Sequence, residues 1–76
     1  NPATDFVQIE LLSESNGLGE LEVYDAYGNK VFEIPAISVS HGLNTFDLDL
    51  EYFASGVYFV KVNLISKTYL GMFIKI

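Results

Sequence analysis

Cysteine, tryptophan and arginine are all absent from this 76-residue chain. Without cysteine there is no disulfide framework, thiolate metal site or thiol nucleophile. Secretion stays open, since a domain can be exported without disulfides. Without arginine, the side chain best suited to gripping phosphates and base edges is missing. A formal net charge of −6 also opposes a polyanion, so nucleic acid is not an expected partner. No apolar run approaches the roughly 18 residues of a membrane span. Neither a signal peptide nor an initiator methionine opens the chain; a start at Asn1-Pro2 is what a fragment of a larger protein would show.

Half the residues are hydrophobic, so the chain can bury a core of its own and is expected to be a single domain over 1–76. A domain this small buries roughly 60–65% of its unfolded surface. A stability of about 5 kcal/mol is therefore expected. All ten acidic residues lie between Asp5 and Glu51, accompanied by Lys30 alone. From Tyr52 to Ile76 there are three lysines, Lys61, Lys67 and Lys75, and no acid. Two readings are open: pairing of the two halves across a sandwich, or C-terminal strands that present a distinct surface to a partner.

The hydropathy pattern has period two almost throughout. Val7, Ile9 and Leu11 alternate with Gln8 and Glu10. Leu21 and Val23 alternate with Glu20, Glu22 and Tyr24. Asp25-Ala26-Tyr27-Gly28-Asn29 is the best turn signal, because Gly28 can take the positive φ that closes a type I turn with a bulge. Lys30–Ile34 is then a return strand that Pro35 either ends or confines to a sheet edge. Ile37 and Val39 suggest a short edge strand, and Ser40-His41-Gly42 a turn. Phe46, Leu48 and Leu50 alternate with Thr45, Asp47 and Asp49. Val57–Leu64 is the most apolar strand, with Tyr58, Val60, Val62 and Leu64 on one face. Ile65-Ser66-Lys67 turns the chain into a last strand carrying Leu70, Met72, Ile74 and Ile76 on one side. No segment holds a helical period. The pattern predicts an all-β antiparallel sandwich of about seven strands. The expected core includes Val7, Ile9, Leu21, Val23, Phe46, Leu48, Tyr58, Val60 and Val62. The chain stops on Ile76 inside a strand pattern, as a natural C-terminus would.

Residues able to carry chemistry are few. His41, the lone histidine, lies in a turn with no nucleophile or acid to orient it. Asp47, Asp49 and Glu51 stand at i, i+2 and i+4, as the solvent face of a half-buried strand would; calcium or glycosidase chemistry would need more ligands or a shaped cleft. Asp25 and Asn29 around Gly28 fit a hairpin turn better than a calcium loop. Gly17 and Gly19 lack the lysine and helix of a phosphate loop. The eleven aromatics are tyrosine and phenylalanine, suited to core and cross-strand packing. No catalytic residue, metal or cofactor is expected. In Ala54–Val62 a glycine, Gly56, precedes a tyrosine, Tyr58, at the start of a late strand. That is the arrangement of a tyrosine corner, in which the hydroxyl bonds back across the bend.

Four pieces together carry a resemblance: Asn1-Pro2-Ala3 opening a short strand; Val23-Tyr24-Asp25 followed by Tyr27–Val31; Asn44–Leu48 followed by Ser55–Val62; and the ending Phe73-Ile74-Lys75-Ile76. In this order and spacing the chain resembles the type A C-terminal sorting domain of type IX (Por) secretion cargo in Bacteroidetes. The resemblance spans essentially the whole chain. It implies a seven-stranded immunoglobulin-like fold, an N-terminal passenger, export through the periplasm to the cell surface or medium, recognition by the outer-membrane translocon, and processing by a sortase with surface attachment. By motif match, recognition would fall on Gly56, Val57, Tyr58, Lys75 and Ile76. Two stretches depart from the family pattern: Tyr69–Phe73 is mostly apolar, flanked only by Lys67 and Lys75, and Pro35–Gly42 is longer than expected for the hairpin loop. The alternative is an immunoglobulin-like accessory or carbohydrate-binding module of a secreted enzyme.

Overall fold

The computed structural model describes residues 2–3, 5–65 and 67–76, with only the backbone of Pro2 and Ala3. Asn1 in the opening motif and Ser66 in the last turn fall outside the described residues. The elements are β1 (Pro2–Ala3), β2 (Phe6–Ser13), β3 (Gly17–Asp25), β4 (Lys30–Val39), β5 (Gly42–Asp49), β6 (Gly56–Leu64) and β7 (Thr68–Lys75). They form an all-β sandwich of two sheets. One has five strands in the order β1-β7-β6-β3-β4, and the other has two, β2 and β5. Every pairing is antiparallel except that of β1 with β7.

Alternation places the core where strand periodicity requires it. Leu21, Val23, Val60, Val62, Tyr58 and Phe73 face inward from the large sheet and meet Val7, Leu11 and Leu48 from the small one. Ile9 and Phe46 pack against this cluster but are only partly buried. The pattern of the last strand resolves in the direction opposite to hydropathy. Leu70, Met72, Ile74 and Ile76 do share a side, but they are exposed, and Phe73 between them is 1% exposed. The register explains this. Phe73 lies opposite the inward Tyr58, and Met72 opposite the outward Phe59.

Pro35 does not end its strand. β4 runs on through Val39 as the outer strand of its sheet, with a register shift: Leu21 faces Ile34, but Gly19 faces Ile37. An edge position and a bulge are both settings in which proline's missing N–H costs no ladder bond. The Asp25–Asn29 turn forms as its residues demand. Gly28 has φ 87° and donates to the Asp25 carbonyl at 3.1 Å. Asp25 Oδ1 accepts from the backbone N–H of Tyr27 and of Asn29, each at 2.9 Å.

Phe73→Ala removes a fully buried ring from a small core and should cost about 3–5 kcal/mol. Because that is most of the stability a domain of this size has, the variant is expected to be largely unfolded at room temperature in urea titrations, whereas Met72→Ala on the same strand should shift the midpoint little.

Candidate functional site

The site assembles at one end of the β6–β7 hairpin. Gly56 pairs with Lys75, Val57 with Ile74 and Tyr58 with Phe73. Lys75 also lies beside Ala3 of β1. Four of the five residues singled out from the sequence, Gly56, Val57, Tyr58 and Lys75, thus belong to one patch of paired backbone. Ile76 follows directly and is exposed.

Tyr58 holds this end together. Its hydroxyl donates to the Ala54 carbonyl oxygen at 2.6 Å, across the bend that Gly56 makes at φ 150°. A β-carbon at Gly56 would have open space but an unfavourable backbone conformation. The Tyr58 ring stacks on Phe73 with centroids 5.3 Å apart and meets Phe53 edge-on at 5.1 Å. Phe32 joins Phe53 at 6.3 Å. Such aromatic pairs add about 0.5–1.5 kcal/mol each beyond the area they bury. Tyr58 is 6% exposed, so it acts as a brace, and the accessible groups are Gly56, the outer side of Val57, Lys75 and Ile76. Lys75 Nζ donates to the Ile76 carbonyl oxygen at 3.0 Å.

The other candidates serve turns or face solvent. His41 is exposed, and its backbone N–H donates to Asn16 Oδ1 at 2.8 Å, tying two loops together. Asp47 and Asp49 point outward from β5, but Glu51 lies beyond the strand, and its N–H donates to Asp49 Oδ1 at 3.0 Å. Among the described residues no cluster of three or more potential metal ligands forms. A cavity of about 560 Å³ lies among Phe32, Tyr52, Phe53 and Asp25. Asp25 is committed there to its own turn: Oδ1 takes two backbone N–H groups and Oδ2 takes Asn29 Nδ2 at 3.3 Å.

Two residues gain roles that periodicity does not signal. Asn44 takes the Ser40 N–H on Oδ1 and donates from Nδ2 to the Ser40 and Gly42 carbonyls, which fixes the β4–β5 turn. Glu22 reads as a solvent position but is 8% exposed, paired to Lys30 at 3.1 Å and taking Asn63 Nδ2 at 2.9 Å. The Lys30 ammonium, aided by Tyr24 and Asn63 and opposed by partial burial, holds the Glu22 carboxyl below its ordinary 4.5. The Asn29 N–H likewise leads in holding Asp25 below its ordinary 3.8.

A family model described as secretion system C-terminal sorting domain matches residues 1–75. The chain belongs to that family. It is a C-terminal sorting signal of type IX secretion. The family is one of sorting signals and not of enzymes. A sorting domain implies an N-terminal passenger, interaction with the type IX system, and export to the cell surface or extracellular space. No curated protein matches the chain. Among the described residues, no helix is long and apolar enough to cross a membrane.

Two measurements check the Tyr58 brace and, separately, the Glu22 pair. Tyr58→Phe should lower stability by about 1–2 kcal/mol, because the Ala54 carbonyl loses its donor; an unchanged unfolding midpoint would remove the corner from the account. Glu22 stabilises the fold when ionised, so its contribution is present above its ordinary 4.5 and is lost as pH falls through the depressed folded value. The gap in unfolding midpoint between the wild type and Glu22→Gln should therefore close on acidification.

Proposed function

We propose that this domain carries its passenger to the type IX outer-membrane translocon and is read there at the joined ends of β6 and β7, through Gly56, Val57, Lys75 and Ile76, with Tyr58 holding them in register. A sortase then processes the exported protein at the cell surface and allows its attachment there. The observation that supports this reading best is that the residues matched by resemblance, distant in sequence, converge on one small patch of the fold. A receptor serving many unrelated passengers needs a feature all of them share. Paired backbone, a glycine bend and the end of a strand can supply it without any catalytic group.

Of the charge division, Lys75 alone lies at this end of the hairpin, Lys61 being mid-strand and Lys67 at the turn. Of the three lysines after Tyr52, Lys67 is ion-paired, at 3.5 Å to a well-exposed Glu14. Such a surface pair adds little stability. Among the described residues, Lys61 and Lys75 form no ion pair. Lys75, whose Nζ donates to the neighbouring Ile76 carbonyl oxygen, is thus the positive side chain this end presents. The accessory-module reading gains nothing comparable, since the aromatic cavity spends its Asp25 on a turn.

The test fuses the domain, behind a linker, to a periplasm-targeted fluorescent protein in a bacterium with the type IX system. Surface or medium fluorescence is expected. Deleting Thr68–Ile76 should abolish it, and Lys75→Glu, which keeps the fold, should reduce it. A fusion that remains periplasmic while folded and intact contradicts the proposal.

A further inference from the structure

One flank of the sandwich is open. β7 pairs with β6 along its length, but its other side meets only Pro2 and Ala3, opposite Ile74 and Lys75. Among the described residues, no strand lies beside Thr68–Phe73 on that side. Across the gap, β2 is likewise paired on one side only, to β5. Between these two edges runs a groove of about 260 Å³, walled by Val7, Ile9 and Leu11 and floored by Val60 and Val62. Gly71 stands at its rim. It lies opposite the inward Val60, between the inward Tyr69 and Phe73, yet a β-carbon built there would meet nothing within 4 Å. The groove is thus a place where this strand contributes no side chain to the space between the sheets. On the outer face of the same edge, Leu70 is 80% and Met72 53% exposed.

An exposed edge with apolar residues on its outer face is a template for another strand. Its charge narrows which one. Lys67 and Lys75 bracket the edge and no acid follows Glu51; Lys67 reaches the exposed Glu14 at 3.5 Å, a surface pair that a docking carboxylate can displace, and Glu10 of β2 also lines the groove. A second copy docked antiparallel over the free stretch Thr68–Phe73 would set Lys67 of one molecule beside Ile74 and Lys75 of the other at both ends, and like charges held close across paired strands are destabilising. A strand with carboxylates at its ends meets the complement instead.

We propose that the edge Thr68–Phe73, with the groove beneath Gly71, is a docking site for one extended strand of a partner protein, apolar at alternate positions and acidic at its ends. The strand adds beside β7, in line with β1, and lowers one side chain into the groove against Val7, Ile9 and Leu11. Backbone pairing supplies affinity, the groove selects the inserted side chain, and the lysines select the flanks. That the partner belongs to the export machinery rests on the sorting reading; the site itself does not.

The test uses the isolated chain and two fluorescent synthetic peptides of alternating valine and threonine, one ended by aspartates and the other by lysines. Fluorescence anisotropy should show the aspartate-ended peptide binding at least about tenfold more tightly, with the advantage shrinking at high salt. Gly71→Leu, which fills the groove, should abolish binding. The double variant Lys67→Glu with Lys75→Glu, remote from the core, should invert the preference, and this arm holds even if Gly71→Leu unfolds. Failure of the aspartate-ended peptide to bind, equal binding of both peptides, binding untouched by a folded Gly71→Leu, or self-association of the chain in place of peptide binding would overturn the proposal. If the peptide binds as expected but the unaltered fusion is not exported, the sorting reading fails and the docking site stands. If the fusion is exported and no peptide binds, the reverse holds.

Discussion

The stack of Tyr58 on Phe73 is the contact on which the rest of this domain depends. It joins β6 to β7, it forms the largest aromatic part of the core, and through the hydroxyl bond to Ala54 it fixes the bend that starts β6. The register follows from it. With Tyr58 opposite Phe73, Gly56 must face Lys75, and the apolar residues Met72 and Leu70 must face outward. A domain of 76 residues has little stability to spare, so one buried pair that does all this leaves few alternatives for the terminal hairpin.

The uneven division of strands, five against two, has a consequence of its own. The small sheet covers only part of the large one, so the flank along β7 and β2 stays open. At the opposite edge, β4 is protected by its proline and bulge, two devices that discourage edge-to-edge pairing. On β7, the charged flanks Lys67 and Lys75 do that work against a second copy while leaving the edge open to an acidic partner. A single strand therefore combines accessibility with selectivity, in a chain whose acidic side chains all precede β6.

Much of this was legible in the sequence, for physical reasons that can be named. Strict alternation in Val7–Leu11 and Tyr58–Leu64 reports burial on one face, and both strands form as that implies. The Asp25–Asn29 turn and the Tyr58 corner are local chemistry and need no knowledge of the partner strands. Alternation failed on β7 because Tyr69–Ile74 is apolar on both faces; hydropathy cannot choose between Phe73 and Met72, and only pairing with β6 decides. Pro35 could end a strand or sit at an edge, and sheet order, which is not local, selects the edge. Glu22 escaped notice because its partners, Lys30 and Asn63, come from two other strands. The residues proposed for recognition could be named by resemblance, whereas their convergence required the register.

The central claim is that the β6–β7 end is recognised as a surface and is not merely needed for folding. The most direct measurement compares export of a fused passenger by two variants matched in unfolding midpoint, Tyr58→Phe in the hairpin and a substitution such as Leu48→Val in the two-stranded sheet. The account predicts that Tyr58→Phe loses export well beyond its matched partner. Equal losses from the two would contradict it, and would mean that the system reads only whether the domain is folded.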